Sequence, residues 1–91
     1  MRLLVTIDLS EADLAAFEAY EAAVLPLIAV HGGRLEMRVR ASDAWSETHL
    51  LHFPDEAAFE AYLVDPARQA AQPTWQACGA RAEGKRVESL V

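Results

Sequence analysis

Apolar residues recur with two different periods along this chain, and the switches between them mark out its elements. From Arg2 to Leu9 every second position is apolar. Leu3, Val5, Ile7 and Leu9 share one face, and Leu4, Thr6 and Asp8 the other. That is the period of a strand. Leu14, Phe17, Val24 and Ile28 then recur at helical spacing, with Tyr20 and Leu27 beside them and Glu18 and Glu21 toward the outer side. Ser10 is placed to cap this helix, with Asp13 three residues on in a capping-box-like position. Glu11 and Asp13 fall in the first turn, where the helix dipole favours acids. Pro26 removes a backbone hydrogen bond and predicts a kink in the last turn. His31-Gly32-Gly33 stops the helix, because glycine supplies the left-handed backbone needed there.

Period two returns from Arg34 to Arg40, with Leu35, Met37 and Val39 on one side and Glu36, Arg38 and Arg40 on the other. Ala41 to Ser46 reads as a polar hairpin loop carrying Trp45. In the third strand, Glu47 to Phe53, His49, Leu51 and Phe53 oppose Thr48, Leu50 and His52. Pro54-Asp55 opens a second helix, with Asp55 as N-cap and Phe59, Tyr62 and Leu63 on its buried side. Asp65-Pro66 breaks and restarts that helix, since Asp caps well and Pro suits a first helical position. Pro73 predicts a second interruption, and a last turn through Trp75 and Cys78 ends at Gly79. Lys85 to Val91 alternates and predicts a final strand. The order β-α-β-β-α-β is a split βαβ arrangement of α+β class, with both helices on one face of a four-stranded antiparallel sheet. In this register the other face carries Leu4, Thr6, Arg38, Thr48, Leu50 and His52. Such a face is too apolar for water and too polar for a closed core. Two sheets packed face to face resolve this, which predicts a homodimer.

Composition narrows the picture. Ninety-one residues make one domain, 1–91, and 53% of them are apolar, rich for so short a chain unless a partner covers one face. A formal charge of −6 argues against nucleic acid and against an anionic membrane surface. The single cysteine, Cys78, excludes an internal disulfide and has no cation beside it in sequence to activate the thiol. The N-terminal MRLLVTIDLS is too polar for a signal-peptide core, and no apolar run spans a bilayer, so a cytoplasmic protein is expected. His49 and His52 fall on opposite strand faces, which disfavours a shared metal. With no phosphate-cradling glycine loop either, neither metal nor cofactor is expected.

Three stretches carry a resemblance: LPLIAVHGGR (Leu25 to Arg34), LLHFPDEAAFEAY (Leu50 to Tyr62) and DPARQAAQP (Asp65 to Pro73). Together they make the chain, over nearly its whole length, similar to the dimeric α/β-barrel superfamily of ferredoxin-like fold. Within it the nearest match is the DUF1330 type of small bacterial domain of unknown function. The superfamily also holds cofactor-independent monooxygenases of antibiotic biosynthesis, muconolactone-isomerase-like enzymes and haem-degrading proteins. The resemblance implies a homodimer that closes a barrel between two sheets, but no single chemistry. Close relatives often carry an acid just before the Phe-Pro turn, where this chain has His52.

Several residues are candidates for chemistry. His52, beside the turn into the second helix, is a candidate general base or ligand-orienting donor, because imidazole titrates near neutral pH. The plainer role is a hydrogen-bonded histidine in a dimer interface. Tyr20, Tyr62 and Trp75 are candidate walls of a flat apolar pocket, against ordinary core packing. Arg38 is a candidate anion partner in the barrel, against interface salt bridges. His31 and His49 read as structural. Two functions follow. One is a cofactor-independent monooxygenase- or isomerase-like enzyme acting on a small apolar or aromatic metabolite. The other is a non-catalytic small-molecule-binding or interaction module.

Overall fold

The computed structural model describes all 91 residues. The chain runs β1 (Arg2–Asp8), α1 (Leu14–Val30), β2 (Arg34–Arg40), β3 (Ser46–His52), α2 (Glu56–Leu63), α3 (Pro66–Cys78) and β4 (Arg81–Val87). The four strands form one antiparallel sheet in the order β2-β3-β1-β4. This is the ferredoxin-like arrangement, with the second helix split in two at Asp65-Pro66. All three helices cover one face, and the other is open, so the molecule measures 33 × 32 × 16 Å. No helix is long and apolar enough to cross a membrane.

Each helix begins at an aspartate whose carboxylate accepts an otherwise unpaired backbone N–H: Asp13 from Ala16, Asp55 from Ala58 and Asp65 from Ala67. The cap of α1 is therefore Asp13 and not Ser10, which lies in the turn, its N–H donating to Asp8. Pro26 and Pro73 both sit inside unbroken helices, so the expected break at Pro73 does not occur. His31 caps the end of α1, and its Nε2 lies 2.7 Å from Asp65 Oδ2, which ties that end to the start of α3. Gly79 ends α3 at φ +82, where a Cβ would come within 2.7 Å of the Glu11 carbonyl oxygen. That close approach lets the Asp13 N–H donate to the Cys78 carbonyl, joining the start of α1 to the end of α3.

Two predictions of register need correction. A bulge between Leu35 and Met37 inserts Glu36, so β2 keeps the expected facing up to Leu35 and reverses it from Met37 onward. Leu35 pairs with Leu51 toward the helices, while Met37 and Val39 pair with Leu50 and Thr48 on the open face. Arg38 and Arg40 consequently pair with His49 and Glu47 on the helix side, not on the open face where the alternation placed Arg38. The last strand begins at Arg81, four residues before the expected Lys85, and ends at Val87.

The largest core cluster joins Leu3, Ile28, Leu51, Phe53, Phe59 and Tyr62. Phe53 is wholly buried, its ring 5.5 Å from Phe59 and 5.3 Å from Tyr62. Gly33 allows this packing, since a Cβ there would meet the Phe53 ring at 2.8 Å. A second cluster of Ile7, Leu9, Phe17 and Cys78 lies where α1 begins and α3 ends.

Candidate active site

A cavity of about 630 Å³ lies between the helix side of the sheet and the helices. It falls within the 300–1,000 Å³ range usual for small-molecule sites. Its origin is local. Over β1 and β3 the helices pack onto Leu3 and Leu51, but toward α3 the β4 strand presents only Ala82 and Gly84 to the same side, its other helix-side residue, Arg86, lying over Phe59. Small residues there leave space under α3 unfilled.

Four aromatic side chains, Tyr20, Phe59, Tyr62 and Trp75, wall the cavity. Tyr20 from α1 and Trp75 from α3 pack with ring centroids 5.1 Å apart, and Tyr62 closes the space from α2. The three aromatic residues singled out from the sequence therefore come together in one place. Their polar companions are Glu21, His49, Arg68, Gln72 and Arg81. Glu21 was expected toward the outer side of α1; it is 4% exposed instead. Burial raises its pKa to about 7, with Glu47 and Glu18 adding to the rise and Arg38 opposing it. No cluster of three or more His, Cys, Asp or Glu side chains is placed to hold a metal ion.

His49 is held by an ionic cluster built on the bulge of β2. Its Nε2 lies 2.5 Å from Glu47 Oε2. The same carboxylate accepts from Arg38 Nε at 2.9 Å and from Arg40 Nε at 2.8 Å. Both arginines also pair with Glu18 on α1. Burial alone would push the Glu47 pKa up, but the hydrogen bonds from Arg38, His49 and Arg40 outweigh it and hold the group below its ordinary value. Glu47 is thus an ionised, buried acceptor. In the tautomer that donates Nε2–H to Glu47, the lone pair of His49 is on Nδ1, which makes no hydrogen bond within the chain. Arg38 serves this cluster, and it does not line the cavity.

His52 lies elsewhere. It faces the open side of the sheet between Arg2 and Arg34 on the neighbouring strands, and it is not among the residues that line the cavity. Burial, then the charges of Arg34, the N-terminus and Arg2, push its pKa down. Its Nδ1 is buried without a partner. Glu47, Glu21 and Arg68 carry no sequence signal of their own. A glutamate at a strand start or on a helix, like an arginine after a proline, reads as surface.

No protein-family model matches the chain, and no curated protein matches it in sequence. The DUF1330-type resemblance thus rests on its motifs alone. Solved structures do match. SnoaB, a cofactor-independent oxygenase from Streptomyces nogalater, superposes with a TM-score of 0.73 at 17% identity, covering 99% of this chain and 94% of that one. An antibiotic biosynthesis monooxygenase-like protein from Nitrosomonas europaea gives 0.77 at 11% identity and covers both chains fully. A dimeric ferredoxin-like protein of unknown function from Jannaschia sp. CCS1 gives 0.64 at 22% identity, covering 96% of this chain and all of that one. At these identities the likeness shows the fold: this chain is ferredoxin-like, similar to known α/β proteins that include an oxygenase and proteins of unknown function.

Proposed function

We propose that the chain is a cofactor-independent enzyme of the dimeric α/β-barrel superfamily that removes a proton from a small aromatic or keto-containing metabolite held in the cavity. One observation carries this reading. A histidine lines an aromatic-walled cavity with one ring nitrogen fixed by an anchored carboxylate and the other free of protein partners. In this reading His49 Nδ1 takes the proton, and Glu47 stabilises the imidazolium that forms. Negative charge appears on the substrate oxygen as an enolate or phenolate. Glu21, held protonated to about pH 7 by burial, is a donor to it. Tyr20, Tyr62 and Trp75 orient the ring. From that anion two outcomes balance. Returning the proton to a different carbon is isomerisation. Addition of dioxygen at the carbanion, followed by protonation and loss of water, converts a CH₂ group to a carbonyl with dioxygen as the only oxidant. The oxygenases among the structural neighbours support the second.

The open sheet face supports a homodimer. Only 16 of the 91 residues are buried in the single chain. Met37 and Val39 stand 37% and 51% exposed on that face, beside Leu4 and Leu50. A second copy packed there would cover these side chains and place His52, with its unpartnered Nδ1, inside the interface. Sedimentation velocity tests this, and a monomer at micromolar concentration would overturn it.

The chemistry is tested by incubating the protein in D₂O with fused-ring aryl ketones that carry an acidic CH₂, following deuterium exchange by NMR and dioxygen uptake with an electrode. Exchange is expected with the wild type and should fall about 10²–10⁴-fold in His49→Ala. Binding without exchange or uptake would establish the non-catalytic module instead.

A further inference from the structure

The chain has seven arginines, and six of them pair with a carboxylate: Arg2, Arg34, Arg38, Arg40, Arg81 and Arg86. The seventh, Arg68, lines the cavity and pairs with none. Its Nε is buried without a hydrogen-bond partner, and Nη1 reaches only the Leu63 carbonyl, at 3.5 Å. Leaving a guanidinium so poorly satisfied costs free energy, all the more in an acidic protein with carboxylates to spare. Glu21 is the only acidic side chain lining the same space, and it is not within ion-pair distance. The guanidinium is also held in place. It lies over the Tyr62 ring, 5.0 Å from the centroid. Gln72, one helical turn further along α3, faces the same cavity and offers an amide beside it. The other cavity arginine, Arg81, has a side chain 78% exposed and engages Glu11, so it makes a poor competitor.

We infer that Arg68 is the anion subsite of the cavity, and that the natural ligand is a flat, largely apolar molecule bearing one oxyanion, either a carboxylate or an ionised ring hydroxyl. The inference rests on the cavity being the ligand site. A guanidinium fork matches such a group geometrically, and a charged hydrogen bond in a water-poor site discriminates strongly against a neutral analogue. The apolar body of the ligand would lie against Val5, Val24 and Trp75.

The test is calorimetric titration of wild-type protein with three probes of similar shape: 2-naphthoate, 4-nitro-1-naphtholate and the neutral 2-naphthamide. One of the anions is expected to bind at least about tenfold more tightly than the amide, and which one does so identifies the source of the oxyanion. In Arg68→Gln that anion should drop to the affinity of the amide, while the amide itself binds as before. If Arg68→Gln no longer holds the amide, Arg68→Met, which keeps an unbranched apolar stem against Tyr62, decides in the same way. Equal binding of all three probes to the wild type would overturn the anion subsite while leaving the cavity reading intact. A preference that survives both substitutions would overturn the assignment to Arg68. No binding of any probe would overturn the cavity reading and this inference with it.

Discussion

The two ends of the layer between sheet and helices are put to opposite uses. At one end Phe53, wholly buried, interlocks with Phe59 and Tyr62 over Leu51 and Leu3. At the other, toward β4, Tyr20 and Trp75 stand over small residues, and the space between holds Glu21, His49 and Arg68. Leu3, Leu51, Phe59 and Tyr62 belong to both, packing on one side and lining the cavity on the other. The contrast teaches where stability can reside in so small a domain. Burial of large side chains at the packed end offsets a hollow, charge-bearing end that stabilises little. The sharpest way to break the comparison is Phe53→Ala. Loss of a fully buried ring should cost about 3–5 kcal/mol, read as a drop in the urea midpoint. A cost near 1 kcal/mol would mean the two ends do not differ.

The hollow end should reveal itself through pH. Glu21 shifts from the ordinary carboxyl value of 4.5 to about 7 on folding, mainly through burial. Between those two values the folded chain holds more protons than the unfolded one at this position. Its contribution to stability therefore falls as pH rises through that window, the reverse of the usual carboxylate. The loss amounts to about 3 kcal/mol at 1.36 kcal/mol per pKa unit. Glu47 and Asp65, both held below their ordinary values, act in the other direction and only at lower pH. Glu21→Gln isolates the effect. The wild type should be the less stable of the pair at pH 8, and the gap should close toward pH 4.5. A pH-independent gap would place the Glu21 carboxyl in solvent.

The packed end was the legible one. Leu51 and Phe53 alternate across the end of β3, Phe59 and Tyr62 follow at helical spacing, and both Asp-Pro and Phe-Pro-Asp punctuation fall where helices begin. Each of these side chains is buried, so periodicity reports it. The hollow end defeats the same logic. Arg81-Ala82-Glu83-Gly84 has no apolar alternation because β4 borders a cavity instead of a core, so alternation predicts the strand only from Lys85. Leu35 to Val39 alternates cleanly, and no glycine or proline marks the bulge that turns Arg38 and Arg40 toward Glu47. That single inserted residue moved the ionic cluster to the helix side. In the sequence His52 stands out because a histidine adjoins a turn, whereas His49 is distinguished only by the cluster that orients it. Tyr20, Tyr62 and Trp75 were visible because aromatic side chains at helical spacing are buried either way, in a core or in a cavity wall.

Filling the hollow end should have the smallest effect on stability and the largest on binding. A Cβ added at Gly84 would meet only the Leu3 side chain, at 3.5 Å, an ordinary contact, and beyond it lies the cavity. Its backbone is not in the left-handed region, so a side chain brings no strain. Replacing glycine within a strand gains roughly 0.5–1 kcal/mol in backbone entropy, while ordering a leucine side chain costs about as much. Gly84→Leu should thus melt within a few degrees of the wild type yet no longer bind naphthyl probes. Phe53→Ala should do the converse, lowering stability sharply while any folded fraction still binds. If Gly84→Leu instead destabilises as much as Phe53→Ala, the β4 end is already close-packed, and the contrast between the two ends fails at its weaker member.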